Sequence, residues 1–319
     1  MTRKLIIDTD PGVDDGMAIQ LALNSKEFEI LGLTTVFGNI DVNIATTNAL
    51  RLLYLANKPT IPVAKGASKP LNREFSGGVP FVHGEDGQGN TWQPASPLLP
   101  INNPADEFII EQILKFPNEL TIAAIGPLTN IASALHRNPE IQDLVIEIVI
   151  MGGNAFCSGN ATPAAEANIL SDPEAADIVL GANWAITMVG LDVTHKIILH
   201  KDVLEEISLF DSSLNKQVTS AYIFYQDFFM KTNKIEGTYV HDSSVFAYLI
   251  NKSLFKTLQF PIRVETTDCL SIGKTWPSLG ESDYEEDEAL KPWDNRPKIN
   301  ICVGVDNNAV VELLKSRLR

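Results

Sequence analysis

The stretch that decides the fold lies close to the amino terminus and reads Lys4-Leu5-Ile6-Ile7-Asp8-Thr9-Asp10-Pro11-Gly12-Val13-Asp14-Asp15-Gly16. Its apolar part predicts a short buried strand, and four aspartates follow within eight residues. Carboxylates crowded this closely repel one another, so a divalent cation held by oxygen ligands is the expected compensation. The plainer alternative is a solvated acidic turn that caps a helix beginning near Val13.

Composition limits the class of protein and of partner. The chain has 319 residues, of which 45% are hydrophobic and 8% aromatic, as in a globular protein with a substantial core. Its 25 basic and 40 acidic residues give a formal net charge of −15. Because that balance offers no basic patch to neutralise phosphates, we expect no nucleic-acid partner and no anionic-membrane partner.

The cysteines and the amino terminus predict a cytoplasmic protein. Cys157, Cys269 and Cys302 are odd in number and far apart, with no C-x-x-C spacing, so reduced thiols are expected. Arg3 and Lys4 precede an apolar run much shorter than that of a signal peptide. No apolar run reaches the length needed to span a membrane.

Strand-like and helix-like segments alternate along the chain. Strands are predicted at 5–7, 29–37, 61–64, 120–125, 144–151 and 184–189, with two or three short ones after Pro261. Helices are predicted at 17–23, 44–56, 108–114, 173–180, 204–210, 218–229, 244–250 and 308–318. A further helix is predicted after Asn130, ending at Leu135. This alternation predicts an α/β fold, a mostly parallel open sheet with helices on both faces.

Polar residues follow several of the predicted strands at the point where each strand ends. Asp8 and Asp10 follow the first strand, Asn39 the second, Gly126-Pro127 another, and 154–168 the next. In open parallel sheets, ligands bind outside the carboxyl ends of the strands. We therefore expect these groups to surround one site at that edge of the sheet.

Two further polar clusters are candidates for this site. Asn160, Glu166 and Asn168 offer a carboxylate and two amides at short spacing, which suits a ligand with several hydroxyl groups, such as a sugar. A helix cap or a turn is the plainer explanation. His241-Asp242 is the second cluster, and its plainer explanation is an aspartate that caps a helix.

With these clusters in place, the chain resembles the inosine-uridine preferring nucleoside hydrolase family. The resemblance spans roughly residues 5–275 and predicts a single domain over residues 1–319. The motifs that carry it are Asp8-Thr-Asp10-Pro-Gly-Val-Asp14-Asp15, Gly126-Pro-Leu-Thr-Asn, Gly152-Gly-Asn, Thr162-Pro-x-x-Glu166-x-Asn168 and His241-Asp242.

The resemblance implies hydrolysis of the N-glycosidic bond of a ribonucleoside to ribose and a free base. It implies a Ca²⁺ bound by Asp10, Asp15, Asp242 and the backbone carbonyl of Ile125. Asp10 would also act as general base on the attacking water, and Asp8 would support the metal site. The residues expected to hold the ribose are Asp14, Asn39, Asn160, Glu166 and Asn168. A homodimer or homotetramer is the expected assembly.

Two histidines are expected on the base side of the substrate. His241 would protonate the leaving base, because an unperturbed imidazole titrates near neutrality, or would make only a ring contact with it. His83 matches a position in the family's mobile loop, here about 70–92, although a surface histidine is the plainer explanation. Together they favour a pyrimidine such as uridine, or broad specificity. Tyr222, Tyr225 and Phe229 share a helix face, which either lines the base pocket or belongs to the core.

The chemistry accounts for so many carboxylates at one site. Cleaving a glycosidic bond develops an oxocarbenium-like ribosyl group, and carboxylates around the sugar stabilise its positive charge.

The chain departs from the family at Ala167, where many members carry a large side chain, so ribose contacts at that position are expected to differ. A surface loop is expected at about 278–295.

Two other functions compete with this one. A haloacid dehalogenase-type phosphatase also begins with a strand and D-x-D, with Asp8 as nucleophile and Mg²⁺ as metal. That pattern expects Thr or Val where this chain has Gly12, and it gives Asp14-Asp15 no role. The second alternative is a non-catalytic nucleoside-binding protein on the same fold.

Overall fold

A computed structural model describes residues 2–278 and 291–318 of the chain. Most of the surface loop expected at about 278–295 therefore lies outside the described residues. The strands are β1 Arg3–Thr9, β2 Phe28–Thr35, β3 Val63–Lys65, β4 Leu120–Ala124, β5 Val145–Met151, β6 Ile186–Val189, β7 Ile198–His200, β8 Gly237–Tyr239, β9 Phe255–Val264, β10 Thr275–Pro277 and β11 Lys298–Val305.

The helices occupy the connections between these strands. They are α1 Val13–Leu23, α2 Val42–Leu55, α3 Pro80–His83, α4 Ala105–Lys115, α5 Thr129–Arg137, α6 Ala167–Ser171, α7 Pro173–Gly181, α8 Leu191–Thr194, α9 Lys201–Ser208, α10 Ser213–Asn233, α11 Ser243–Ile250 and α12 Asn307–Arg317. None of the helices in the described ranges is long and apolar enough to cross a membrane.

One sheet of nine strands forms the centre of the molecule, in the order β10-β9-β11-β6-β5-β4-β1-β2-β3. Every pairing from β3 across to β11 is parallel, whereas β9 pairs antiparallel with both β11 and β10. The predicted mostly parallel α/β fold is confirmed.

The sheet is buried on both faces, as the uninterrupted apolar strands predicted. In β1, Leu5 and Ile7 pack in a core with α1, α2, α10 and α11. Ile6 points to the opposite core, which contains α4, α5 and α7. Because alternate residues of a strand face opposite sides, a central strand covered on both sides must be apolar throughout.

The strand order reverses at β1. The chain proceeds from β1 outward to β2 and β3, then returns to place β4 on the other side of β1. Ligands bind at such a reversal because the connections diverge there and leave a crevice. The Asp8–Asp10 segment and the Ile125–Gly126 segment lie at the carboxyl ends of the two strands that border it.

The predicted elements differ from the observed ones mainly at the carboxyl-terminal edge of the sheet. β9 begins at Phe255, before the expected start near Pro261, and runs antiparallel. The ribbon of β7 and β8, and the short helices α3, α6 and α8, follow from tertiary contacts that periodicity does not reveal. Element boundaries elsewhere agree within a few residues.

A matched pair of isoleucines in β5 tests the burial of this strand. Ile148→Ala removes a fully buried side chain and should lower the free energy of unfolding by about 2–5 kcal/mol. Ile146→Ala is the control, because Ile146 is 45% exposed, and it should cost about 1 kcal/mol or less. Denaturant unfolding monitored by circular dichroism compares them, and equal losses would contradict the assigned burial.

Candidate active site

Five aspartates converge in the crevice at the carboxyl end of β1. Asp8, Asp10 and Asp15 are fully buried, and Asp14 and Asp242 nearly so. The first two belong to the end of β1 and the turn after it, Asp14 and Asp15 to the first turn of α1, and Asp242 immediately precedes α11. Residues more than two hundred positions apart in sequence thus form one acidic cluster.

Three of these side chains meet most closely. Asp14, Asp15 and Asp242 each present an oxygen, and the three oxygens lie within 4.8 Å of one another. Burial raises the pKa of Asp14 to about 6, and burial together with the charge of Asp14 raises the pKa of Asp15 to about 6. Burial, and then the charges of Asp14, Asp15 and Asp10, raise the pKa of Asp242 well above its usual range. The structure thus groups Asp14 with two predicted metal ligands.

Asp10 lies beside this group in a space that two glycines provide. Its Oδ2 accepts a hydrogen bond from the backbone N–H of Asn39 at 2.7 Å, and its buried Oδ1 has no hydrogen-bond partner. A Cβ on Gly38 would lie 2.1 Å from Oδ2, and one on Gly126 would lie 2.6 Å from Oδ1. Burial, followed by the charge of Asp15, raises the pKa of Asp10.

Asp15 is held by three donors. Its Oδ1 accepts from the Thr9 hydroxyl at 2.5 Å, and its Oδ2 accepts from the backbone N–H of Gly12 at 2.9 Å. The side-chain amide of Asn39 also donates to Oδ2, at 3.2 Å. The contact with Gly12 satisfies a backbone donor at the start of α1, so Asp15 also does what the helix-cap alternative expected.

Asp14 is oriented from the other side by an aromatic helix. Its Oδ2 accepts from the hydroxyl of Tyr225 on α10 at 3.0 Å, and its buried Oδ1 has no hydrogen-bond partner in the described part of the chain. His83 Nδ1 lies 3.7 Å from Oδ1, but that nitrogen accepts the backbone N–H of Val13 at 3.1 Å. Because the lone pair of Nδ1 accepts this hydrogen bond, Nδ1 carries no proton and does not donate to Asp14.

His83 is buried, so the surface-histidine alternative is wrong. Burial lowers its pKa to about 4, and its ring stacks on Tyr225 with centroids 5.4 Å apart. In the loop that follows α3, the side-chain amide of Gln88 donates to the carbonyl of Gly12 at 2.6 Å. The loop that follows α3 is therefore hydrogen-bonded to the first turn of α1. The mobility expected for residues 70–92 remains a prediction.

Asp8 lies behind the cluster. Its Oδ1 accepts from the Thr34 hydroxyl at 2.5 Å and from the side-chain amide of Asn130 at 2.8 Å. Burial raises its pKa to about 7. Asn130 also donates to the carbonyl of Thr35, so it connects β1, β2 and the start of α5. This position agrees with the supporting role expected for Asp8.

The cluster of Asn160, Glu166 and Asn168 adopts the conformation of a helix cap. Glu166 is 1% exposed, and its carboxylate accepts from the backbone N–H groups of Gly153, Asn168 and Ile169 at the start of α6. The side-chain amide of Asn168 donates to the carbonyls of Ile125 and Met151, at 3.2 and 3.1 Å. The predicted metal-binding carbonyl is therefore in contact with a predicted ribose residue.

Asn160 is exposed, and its side-chain oxygen accepts from the backbone N–H of Ala167 at 3.0 Å. That contact closes the loop between β5 and α6 over Glu166. Glu166 in turn adds to the charges that raise the pKa of Asp242, so this loop lies near the acidic cluster. The position favours a shared ligand over two unrelated sites.

His241 lies on the aromatic side of the site. Its Nδ1 is 3.0 Å from the hydroxyl of Thr194, and its ring is surrounded by Phe229, Tyr239 and His195. Burial lowers its pKa to about 3, so the ring is neutral at pH 7. The side chain of Asp242, next to it, makes no capping hydrogen bond to α11, so the plain N-cap explanation does not account for that residue.

The donor set of the cluster fits a hard cation. Several buried carboxylates share one crevice, and Asp10 Oδ1 and Asp14 Oδ1 lack any hydrogen-bond donor among the described residues. Burial raises the pKa of both, and the charges of Asp15 and Asp14 raise that of Asp10 as well, so ionised carboxylates are desolvated and repel one another here. A divalent ion bound by oxygen atoms would remove that repulsion, as Ca²⁺ does at carboxylate-rich sites.

Comparison with known proteins places this site in a family. The model of the inosine-uridine preferring nucleoside hydrolase family matches residues 5–312. This chain belongs to that family. The predicted resemblance is therefore confirmed, and with it the enzyme class, an N-ribosyl hydrolase. Membership also decides against the haloacid dehalogenase-type phosphatase.

Individual relatives agree with this assignment. The chain is 40% identical to uridine nucleosidase 1 of Arabidopsis thaliana, over 99% of this chain and 93% of that protein. A plant nucleoside hydrolase structure superposes with a TM-score of 0.96 at 38% identity, covering 100% of this chain and 99% of that one. A purine-preferring ribonucleoside hydrolase from Gardnerella vaginalis gives 0.90 at 31% identity, covering 99% and 98%.

Several residues of this hydrolase site were not predicted as functional from sequence. They include Thr9, Asn130 and Thr194, which hydrogen-bond to Asp15, Asp8 and His241, and Gln88, which donates to the carbonyl of Gly12. The hydroxyl contact of Tyr225 with Asp14 was not predicted either. Tyr225 carried a signal, the aromatic stripe, but helical spacing alone does not separate a buried hydroxyl from a core ring.

A glycine substitution tests whether close approach of the backbone holds Asp10. Gly126→Ala would place a methyl group 2.6 Å from Asp10 Oδ1, so the carboxylate must move. We expect a loss of about 1–3 kcal/mol of stability and a large fall in ribonucleoside hydrolysis. Gly304→Ala is the control, since its nearest neighbour would lie at 3.4 Å. Equal effects of the two substitutions on hydrolysis would contradict this account.

Proposed function

We propose that this protein hydrolyses the N-glycosidic bond of ribonucleosides in a calcium-dependent reaction, with uridine or another pyrimidine nucleoside as substrate. The observation that carries the proposal is the buried cluster of Asp14, Asp15 and Asp242 at the reversal of strand order, with Asp10 beside it. A crowded, partly unpaired set of carboxylates suits a metal ion, a ribose diol and a developing positive charge.

The residues proposed to hold Ca²⁺ are Asp10, Asp15, Asp242 and the carbonyl of Ile125. Their support is the shared crevice, the raised pKa of each carboxylate and the unpaired Oδ1 of Asp10. When bound, the ion would lower the pKa of water and bind hydroxyl oxygens. Asp14 presents an oxygen within 4.8 Å of oxygens of Asp15 and Asp242, so it lies beside two of the residues proposed to bind the ion.

Asp10 is the proposed general base. Its Oδ2 is fixed by the N–H of Asn39, which leaves Oδ1 to accept a proton from the attacking water. The raised pKa of a buried carboxylate makes it a better proton acceptor than an exposed one. As the base departs, the ribosyl group becomes positive, and the surrounding carboxylates stabilise it more than they stabilise the neutral substrate.

The proposed ribose residues are Asp14, Asn39, Asn160, Glu166 and Asn168. Asn39 and Glu166 already hydrogen-bond to protein groups, so in the described structure they also shape the site. The unpaired Oδ1 of Asp14 is the oxygen best placed to accept from a hydroxyl. Because Ala167 offers a methyl group at most, polar groups around it must supply the contacts expected at that position.

His241 and His83 are proposed to contact the base. Both are neutral at pH 7 because burial lowers their pKa values to about 3 and about 4. A neutral imidazole stabilises the departing base by donating an N–H hydrogen bond to the atom that becomes negative. His83 Nδ1 accepts from Val13, so its proton resides on Nε2, which is the atom that donates.

Uridine is the first substrate to test. The relative at 40% identity is named a uridine nucleosidase, and the structure at 31% identity is titled purine-preferring. The fold is common to both, so the choice of base depends on side chains around the crevice. A non-catalytic nucleoside-binding protein is the alternative, and turnover separates the two.

Assembly and location are also proposals. We propose a homodimer or homotetramer in the cytoplasm with a small ribonucleoside as its substrate partner. The family supports the assembly, and the free thiols of Cys157, Cys269 and Cys302 are compatible with a reducing compartment.

The assigned base is tested by Asp10→Asn. We expect the variant to remain folded and to lose about a hundred- to ten-thousandfold in kcat on uridine, since an amide does not accept the proton. The control is Asp211→Asn, which removes an exposed carboxylate paired with Lys216 and should retain full activity. Released ribose is measured by a reducing-sugar assay, with inosine and p-nitrophenyl phosphate as alternative substrates.

Wild-type rates in Asp10→Asn would contradict the assigned base. Wild-type protein that releases neither ribose nor phosphate would favour the non-catalytic alternative.

Calcium dependence is tested by chelation and by thermal stability. Protein stripped with EDTA should lose turnover and regain it with Ca²⁺. Because Ca²⁺ binds only the folded cluster, a hundredfold excess over its Kd should add about 2.7 kcal/mol to the free energy of unfolding. Asp242→Asn should abolish that gain, whereas Asp211→Asn should keep it. An unchanged melting temperature and unchanged turnover after chelation would contradict a calcium site.

A further inference from the structure

Tyr225 on α10 is the side chain that orients Asp14. Its hydroxyl donates to Asp14 Oδ2 at 3.0 Å, and the tyrosine is only 2% exposed. No other described side chain donates a hydrogen bond to Asp14, since the nearby His83 Nδ1 accepts the Val13 N–H instead. Among the described side chains, the Tyr225 hydroxyl is therefore the donor that orients this carboxylate, beside the backbone N–H groups of Asp14 and Asp15.

The ring of Tyr225 is fixed on three sides. It stacks on His83 and meets Phe229 and Tyr222 edge to face, with centroids 4.8 and 5.6 Å away. A phenylalanine would preserve each of these packing contacts and would lose only the oxygen. The hydroxyl is therefore separable from the core role that an aromatic stripe usually has.

Fixing Oδ2 determines which oxygen Asp14 presents to the site. Among the described residues, the buried Oδ1 has no hydrogen-bond partner, so it is the remaining acceptor. Without the hydroxyl, the carboxylate would lose its side-chain donor close to Asp15 and Asp242, and repulsion from those carboxylates would turn Asp14 away.

We propose that Tyr225 is a positioning residue for substrate binding: its hydroxyl holds Asp14 Oδ2 so that Oδ1 accepts a hydrogen bond from a ribose hydroxyl. The proposal rests on the proposed function only in taking ribose as the ligand of Asp14. It assigns Tyr225 a role in orienting that carboxylate and none in contacting the base.

Tyr225→Phe tests the proposal. We expect kcat/KM on uridine to fall about ten- to hundredfold, the range of a lost hydrogen bond to a charged group. The Kd for D-ribose, measured by calorimetry on the calcium-loaded protein, should rise by a similar factor. Tyr248→Phe is the matched control. Tyr248 on α11 is also buried, and its hydroxyl pairs with that of Thr187 on β6, so the loss of this hydroxyl should leave both values unchanged.

A double-mutant cycle separates positioning from packing. In an Asp14→Asn background, Tyr225→Phe should change kcat/KM and the ribose Kd by no more than about twofold, because the two residues act as a unit. An undiminished effect in that background would overturn the proposal, since the ring would then act through packing. Unchanged ribose affinity in Tyr225→Phe alone would overturn it as well.

The ribose measurement keeps this inference distinct from the proposed function. A wild-type protein that binds ribose in a Tyr225-dependent manner but does not cleave nucleosides would support the positioning role and overturn the proposed reaction. Cleavage of uridine with wild-type ribose affinity and kcat/KM in Tyr225→Phe would do the reverse.

Discussion

Asp14, Asp15 and Asp242 bring their oxygens within 4.8 Å of one another in the interior, where charge is poorly screened. Burial raises the pKa of each, and neighbouring carboxylate charges add to the rise for Asp15 and Asp242. The protein reduces this cost with donors on the outer oxygens, from Thr9 and Tyr225 in particular. Those donors do not neutralise the cluster, and the remaining negative charge is the property that we propose binds a cation and stabilises a cationic ribosyl group.

The sheet order determines where that charge can accumulate. Because β1 is central and the chain leaves it in opposite directions, the connections after β2 and β4 separate and expose the end of β1. Gly38 and Gly126 stand on those two connections and leave room for Asp10 between them. The fold therefore supplies the crevice, and two missing side chains allow a carboxylate to occupy it.

Much of this arrangement is encoded locally. The apolar run, the turn and the acidic first turn of α1 are contiguous in sequence, so the strand, the helix and the carboxylates could be predicted from it. The cap formed by Glu166 illustrates the limit, since the same short spacing fits a cap and a sugar site equally well. The burial of His83 and the hydroxyl contact of Tyr225 depend on long-range packing. The antiparallel direction of β9 was hidden for another reason: strand propensity carries no direction.

The first turn of α1 shows why the opening motif alone cannot build the site. Three consecutive residues are bonded from two other parts of the chain. Residues 83–88 bond Gly12 through Gln88 and Val13 through His83, and α10 bonds Asp14 through Tyr225. Stacking of His83 on Tyr225 joins the loop to α10, so the two supports form one wall over the carboxylates. Moving residues 83–88 would cost these buried hydrogen bonds, each worth about 0.5–1.5 kcal/mol net. Residues 83–88 therefore support the acidic cluster, as β1 does. Displacing them would remove the hydrogen bonds to Gly12 and Val13 and the ring that stacks on Tyr225, the residue that orients Asp14.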